Sequence, residues 1–258
     1  QVSHLAGLFS SFNTDIIDNV DFYKSGFPAR YGSRMSSIVD VSTKDGDMQE
    51  YHGLFSIGLL DGRLQFEGPI VKGRTSFNVA MRRSWIDVLS VPALAIVNRT
   101  MRDKTRLHYA FGDFNAKVTH LFAPDNKLTA AFYYGKDSFN FGFDYVGQYM
   151  YGELIPGGED LTDSDGIELK WGNILASLRW QNRLTDQLSS DINAYYTKFS
   201  SGTEYHSYWW DHLGEEVFAL EGAKENGRSG ISDIALKAGF RWQPSPVHDV
   251  WFGAAYEH

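Results

Sequence analysis

Residues 19–41, NVDFYKSGFPARYGSRMSSIVDV, divide a short head from a long run of alternating strands, and the fold is read outward from them. A small strand over residues 20–24 runs into a turn set by Gly26 and Pro28. A compact segment comes next at Tyr31-Gly32-Ser33, and a second strand covers residues 36–41. Glycine supplies tight or positive-φ backbone in such turns, while proline fixes φ and donates no hydrogen bond. By themselves these residues describe a β-turn-β unit; the strands beyond residue 50 give it a setting.

Downstream, apolar residues recur at every second position. Residues 51–59 place Phe55, Ile57 and Leu59 on one face, with Ser56 and Gly58 on the other. The next strands set Leu64, Phe66 and Ile70 against Arg63, Gln65 and Glu67, then Phe77, Val79 and Met81 against Ser76, Asn78 and Arg82. Phe114, Ala116 and Val118 oppose Asn115, Lys117 and Thr119, and Leu128, Ala130, Phe132 and Tyr134 continue the pattern. The same rhythm returns at residues 174–180, 192–196 and 234–242, and begins again at Val250. A period of two marks a strand with one face buried.

The connections carry a second regularity. Tight turns fall at Leu60-Asp61-Gly62, at residues 71–74, at Ala123-Pro124-Asp125-Asn126, at Leu184-Thr185-Asp186-Gln187 and at Pro244-Ser245-Pro246. Long connections are expected over residues 85–106, 144–170 and 201–230, the first holding a short helix around residues 86–89 that Pro92 ends. Short and long alternate past the first hairpin, as in an outer-membrane barrel with short periplasmic turns and long outer loops. The polar faces carry Arg63, Glu67, Arg82, Lys117, Arg179, Asp191, Lys237 and Arg241, while Phe122, Trp180, Trp242 and Trp251 sit beside tight turns like an interfacial belt. The expected fold is all-β: an antiparallel transmembrane β-barrel, partial, with about nine strands. Single-chain bacterial barrels have even strand numbers, and an open sheet leaves unpaired edges, so the strands are expected to be a minority of a larger barrel.

Composition bounds the rest. The chain has 258 residues, charged residues make up 22%, and aromatic residues reach 15%. Mean hydropathy is -0.33, and the uncharged run at residues 88–98 is far shorter than the roughly 20 residues of a spanning helix. Barrel strands hide their apolar surface in alternate positions, so low mean hydropathy is compatible with them. With no cysteine, disulfides and thiolate metal sites are excluded. A net charge of -8 argues against a nucleic-acid partner. The opening QVSHLAGLFSS lacks the basic region and cleavage pattern of a signal peptide, so the chain is expected to be a fragment or processed.

Residues 12–46, from Phe12-Asn13-Thr14-Asp15 through Lys44-Asp45-Gly46, resemble the end of the plug domain in TonB-dependent outer-membrane receptors. Ser33 departs from that family's frequent second glycine after Gly32. Arg82 and Arg83, followed by Ser84-Trp85-Ile86-Asp87, resemble a family segment just after the third barrel strand. The resemblance implies residues 1–49 as the C-terminal part of a plug and residues 50–258 as the N-terminal portion of the barrel. It also implies a receptor in the outer membrane that imports a scarce nutrient by TonB-coupled gated uptake. Its partners would be the TonB complex, through a segment missing here, outer-membrane lipid, an unknown nutrient and, as a further candidate, a surface lipoprotein. Gly26, Pro28, Gly32 and Ser33 would shape backbone inside the barrel, Arg30 and Arg34 would face its polar wall, and Arg82 would pair with a plug carboxylate, with Asp40, Asp45 and Glu50 as candidates.

The sequence shows no catalytic constellation: Gly-x-Ser-x-Gly, HExxH, an EF-hand loop and a phosphate-binding glycine loop are all missing, so an enzyme and a cofactor are not expected. Tyr205, His206, Tyr208, Trp209 and Trp210 form an aromatic cluster expected on a loop, where exposed rings suit ligand contact; Tyr145, Tyr149 and Tyr151 are expected to join them. The acidic stretch over residues 144–171 reads as a solvated loop, its Asp163-x-Asp165-Gly166 being too short to specify calcium, and His206 with His212 is a weak metal pair. A small stand-alone outer-membrane barrel, either a binding protein or a lipid-modifying enzyme, is the alternative function. A soluble sugar-binding β-sandwich is the third.

Overall fold

The structure is a computed structural model that describes residues 13–24, 37–147, 149–150, 153–154, 161–214 and 217–258. Gly26, Pro28, Arg30, Gly32, Ser33, Arg34 and Tyr151 lie outside the described residues, as does the side chain of Tyr149.

A 3₁₀ turn, Thr14–Ile16, opens the described chain, with the Asn13 side chain accepting the Asp15 N–H at 3.1 Å. Strands β1 (Ile17–Tyr23) and β2 (Ile38–Thr43) then pair as an antiparallel two-stranded sheet. The large sheet is built from β3 (His52–Ile57), β4 (Asp61–Val71), β5 (Thr75–Ser84), β6 (Lys104–Ala123) and β7 (Asn126–Val146). A helix, α1 (Ile86–Thr100), joins β5 to β6. After the small pair β8 (Tyr149–Met150) and β9 (Glu153–Leu154) come β10 (Thr162–Arg183), β11 (Leu188–Gly214), β12 (Val217–Ser245) and β13 (His248–Glu257). The order β13-β12-β11-β10-β7-β6-β5-β4-β3 makes one antiparallel meander of nine strands, the number the alternation leads one to expect. The sheet is not closed: β3 and β13 are its edges.

Register places the two faces. Gln65, Ala80 and Asn115 stand opposite one another on one face, with Arg82 opposite Asp113, Thr119 opposite Thr129 and Lys237 opposite Asn193. Phe66 opposite Val79 and Ala116, Phe132 opposite Ala176, and Tyr196 opposite Ile234 lie on the other. Burial runs against the soluble pattern. Gln65, Asn78, Arg82, Asp113 and Thr119 are each at most 6% exposed, whereas Met81, Leu178 and Ile234 on the apolar face are 50%, 50% and 60% exposed. Over the middle of β4–β7 and β10–β13 that apolar face carries no charge.

The strands run much further than their first alternating segments. In β7 the apolar residues sit at 128, 130, 132 and 134, then shift by one place to Phe139, Phe141, Phe143 and Tyr145. The same one-residue shift separates Phe111 from Phe114 in β6, Trp171 from Ile174 in β10, Tyr196 from Phe199 in β11, and Ile231 from Ile234 in β12. Register stays continuous through each shift, with Asp137 opposite Trp171, Tyr134 opposite Ile174, and Phe199 opposite Ile231. The shifts therefore form one line across five strands, beyond which the apolar and polar faces exchange. A one-residue slip normally signals a change of face or a broken strand. Here the strand continues and the apolar residues change face.

Two expectations are corrected. The long connections over residues 144–170 and 201–230 are mostly strand, in β10, β11 and β12. The helix does not stop at Pro92 but runs through it to Thr100. A proline inside a helix costs about 3 kcal/mol; tertiary anchors hold α1 instead. Ser90 donates to the Leu107 carbonyl at 3.1 Å, and the Asn98 side chain both donates to Thr105 O and accepts from Thr105 N, each at 2.9 Å. β5 pairs β6 only as far as Gly112, so α1 covers the β6 edge that β5 leaves open.

Candidate functional site

Charges on the polar face are held in pairs. Arg82 donates to Asp113 at 2.6 Å with both side chains almost fully buried, and its guanidinium lies 5.0 Å from the Phe111 ring centroid. Arg179 binds Asp191, Arg241 binds Asp249 at 2.8 Å, and Lys237 lies over the Tyr195 ring. Trp251, placed with the belt residues by sequence, stands opposite Arg241 on the polar face and carries its guanidinium at 5.3 Å. Trp180 stays on the apolar face and donates its indole N–H to Asn126 at 2.8 Å beside a tight turn.

The head docks on this polar face. Asp45 takes Lys117 at 2.6 Å and Lys127 at 3.0 Å, and Lys117 also donates to the Thr43 carbonyl. Ser76 donates to Asp45 O at 2.9 Å, while Arg63 reaches Thr14 Oγ1 at 3.0 Å and Asp15 at 3.7 Å. Burial pushes the Asp45 carboxyl up, but the hydrogen bonds and charges of Lys117 and Lys127 outweigh it, leaving the group below the usual carboxylate range. Head and sheet are thus joined by Asp45 and Asp15. The expectation for Arg82 is corrected in its partner: the carboxylate it binds is Asp113 on the neighbouring strand, because Asp113 stands directly opposite Arg82 in register. Gly46 ends the crossing with φ +88°, its α-carbon pressed so closely on the Phe77 carbonyl that a Cβ would overlap it.

The aromatic cluster is also rearranged. Tyr205, His206, Tyr208, Trp209 and Trp210 lie in β11, not on a loop, so alternate side chains go to opposite faces. Tyr205 stands opposite Ile167, on the face that Phe141 and Tyr145 share. Trp209 falls on that same face by alternation, and the neighbouring Trp210 backbone N–H donates to Asp163 at 2.9 Å. His206 and Tyr208 share the other face, 5.7 Å between ring centroids. The acidic pair is likewise in strand: Asp163 serves that backbone bond, and Asp165 accepts the Ser207 hydroxyl at 2.5 Å. Among the described residues no three His, Asp or Glu side chains group for a metal ion.

What register assembles is a wall that sequence reading missed. Phe141 and Phe143 meet edge to face at 5.1 Å, Phe143 and Tyr145 lie 6.3 Å apart, and Tyr109 contacts both Phe111 and Phe139. Tyr205 and Trp209 extend the same face. At its lower end Tyr109 donates to Asp137 at 2.7 Å, beside the Arg82–Asp113 pair. Its signal in the sequence is the run Phe139, Phe141, Phe143, Tyr145, out of phase with the strand before it. Such a surface stacks against flat or apolar ligand faces and offers phenol hydroxyls at its rim.

The chain matches no family model and no curated protein.

Proposed function

We propose that the protein is a TonB-dependent outer-membrane receptor, in which residues 1–49 close the plug and residues 50–258 are the first barrel strands, importing a scarce nutrient by gated uptake. The observation that carries this reading is the inverted sheet: a charge-free apolar band outside, and an ion-paired polar face on which the head docks. In β12 the band covers residues Ile234 to Trp242, about 26 Å along the strand at roughly 3.3 Å per residue and close to the roughly 9–11 residues with which a tilted strand crosses a bilayer. A soluble sheet has no reason to bury Arg82, Asp113 and Thr119 while exposing Leu178 and Ile234. Two unpaired edges cannot face lipid, so the reading includes further strands joining β13 to β3. The resemblance of residues 12–46 to a plug end supports the same view, since Thr14, Asp15, Thr43 and Asp45 from that stretch contact the face that would line the barrel. Above the phase-shift line, the aromatic wall with Tyr145, Tyr205 and Trp209 is the surface offered to ligand.

Membrane fractionation of the intact protein, followed by labelled nutrient uptake in a deletion strain, tests the proposal. Recovery in the outer-membrane fraction with loss of uptake for one nutrient supports it. A protein that stays in solution without detergent overturns it.

A further inference from the structure

Helix α1 is inverted like the sheet. Its polar positions Asp87, Ser90 and Asn98 face the protein, while Val88, Val91 and Ile96 are 63%, 66% and 69% exposed. Between α1 and the sheet lies a groove of about 450 Å³, walled by Val91, Leu94 and Ala95 on one side and by Arg106, His108 and Asn140 on the other. His108 stands opposite Asn140, on the same face as Phe114 and Val118, so the groove opens directly above the apolar band. Only the small residues Ala110 and Gly112 separate them along β6.

Charge singles this place out in an acidic chain. Residues 99–108 carry Arg99, Arg102, Lys104 and Arg106 against Asp103. Arg106 is shared with Asp144 at 3.3 Å, and Lys104 is held by the carbonyls of Asn98 and Met101, which fixes both cations beside the groove. Asp87, the acid at the helix start, is taken up by Arg83 at 2.8 Å. The Arg83 hydrogen bond holds the Asp87 carboxyl below its usual range.

Resting on the membrane reading above, we infer that this groove binds the phosphate-bearing headgroup of an anionic membrane lipid. The acyl chains lie down the Ala110–Gly112 lane onto the apolar band, and the phosphate is met by His108, Arg106 and the basic residues after α1. Continuity with the band selects an amphiphile over a free anion, and the cationic rim selects an anionic headgroup over a zwitterionic one.

The test is native mass spectrometry of the intact protein released from micelles doped with phosphatidylglycerol or phosphatidylcholine. Preferential retention of phosphatidylglycerol is expected. Removing the Arg99 charge and the His108 imidazole in R99Q/H108Q should weaken it several-fold, one basic group near an anionic surface being worth roughly fivefold. Ala95→Trp, which fills the groove without removing charge, should also abolish the preference. Equal retention of both lipids by the unsubstituted protein, or an unchanged preference in both variants, overturns the inference. A protein that enters bilayers yet shows no preference defeats this inference alone; one that never partitions from water defeats the membrane reading first.

Discussion

Gly46 and Gly73 both hold positive φ, at +88° and +70°, but only Gly46 abuts backbone. Gly46→Ala combines left-handed strain with a clash against Phe77 O, so it should cost more than the roughly 1 kcal/mol of the strain alone. Gly73→Ala, with the Gln49 side chain 3.7 Å away, should cost no more than that strain. Urea unfolding of the two variants separates them, and equal midpoints would remove the role given to Gly46. The Arg82–Asp113 pair makes a second prediction. Arg82→Met leaves a buried carboxylate, which should cost about 3 kcal/mol, while R82M/D113L should recover most of it. Additive losses in that cycle would mean that the two side chains are not coupled. The sequence points to Arg82 as a paired cation but not to Asp113 as its partner, because that pairing depends on which residues register sets opposite.

At the scale of elements, the head is fastened to the sheet by carboxylates, so its docking depends on pH. The Asp45 pKa is lowered in the folded state, so its contribution is complete above the unfolded value near 3.8. It is lost as pH falls below that through the lowered value. A pair of spin labels at Ser42→Cys and Lys72→Cys, in a chain with no other cysteine, should hold one distance from neutral pH to about pH 4 and broaden below it. Asp45→Asn should broaden the distribution already at neutral pH. A distribution that ignores both pH and substitution would show that the lysine pairs do not fasten the head. Helix α1 is set by a different kind of contact. Pro92 is a sound local stop signal, but Ser90 and Asn98 bind the β6 backbone and carry the helix past it. Those anchors come from residues after the helix, so a local reading of residues 86–92 does not contain them.

For the whole molecule, the decisive quantity is what surrounds the apolar band. Leu178 is 50% exposed, and in water Leu178→Arg would be close to neutral. In a bilayer, an arginine at mid-band should cost about 2–4 kcal/mol. Unfolding from lipid vesicles, with Ser200→Arg above the phase-shift line as the control, should show the loss at Leu178 only. Equal, small effects at both sites would place the sheet in water.

Alternation at a period of two determined the nine strands and, up to the phase-shift line, the division of polar from apolar faces, because side-chain direction in a strand is set by backbone geometry alone. The first hairpin turn lies at residues 58–60, since Asp61 and Gly62, read as turn residues, already pair in β4. The charges read onto the polar face, from Arg63 to Arg241, all lie there. Sequence reading ended the strands where the apolar phase slips, at Tyr134, Tyr196 and before Ile174, since a slip looks the same whether a strand stops or its environment changes. Only the tertiary structure, through hydrogen-bonded register continuing across that line, decided that β7, β10, β11 and β12 run on. The same register split Tyr205 from His206, gathered Phe141, Phe143 and Tyr145 into a wall, and gave Arg82 to Asp113. Such pairings join residues distant in the chain, and no local pattern encodes which of them meet.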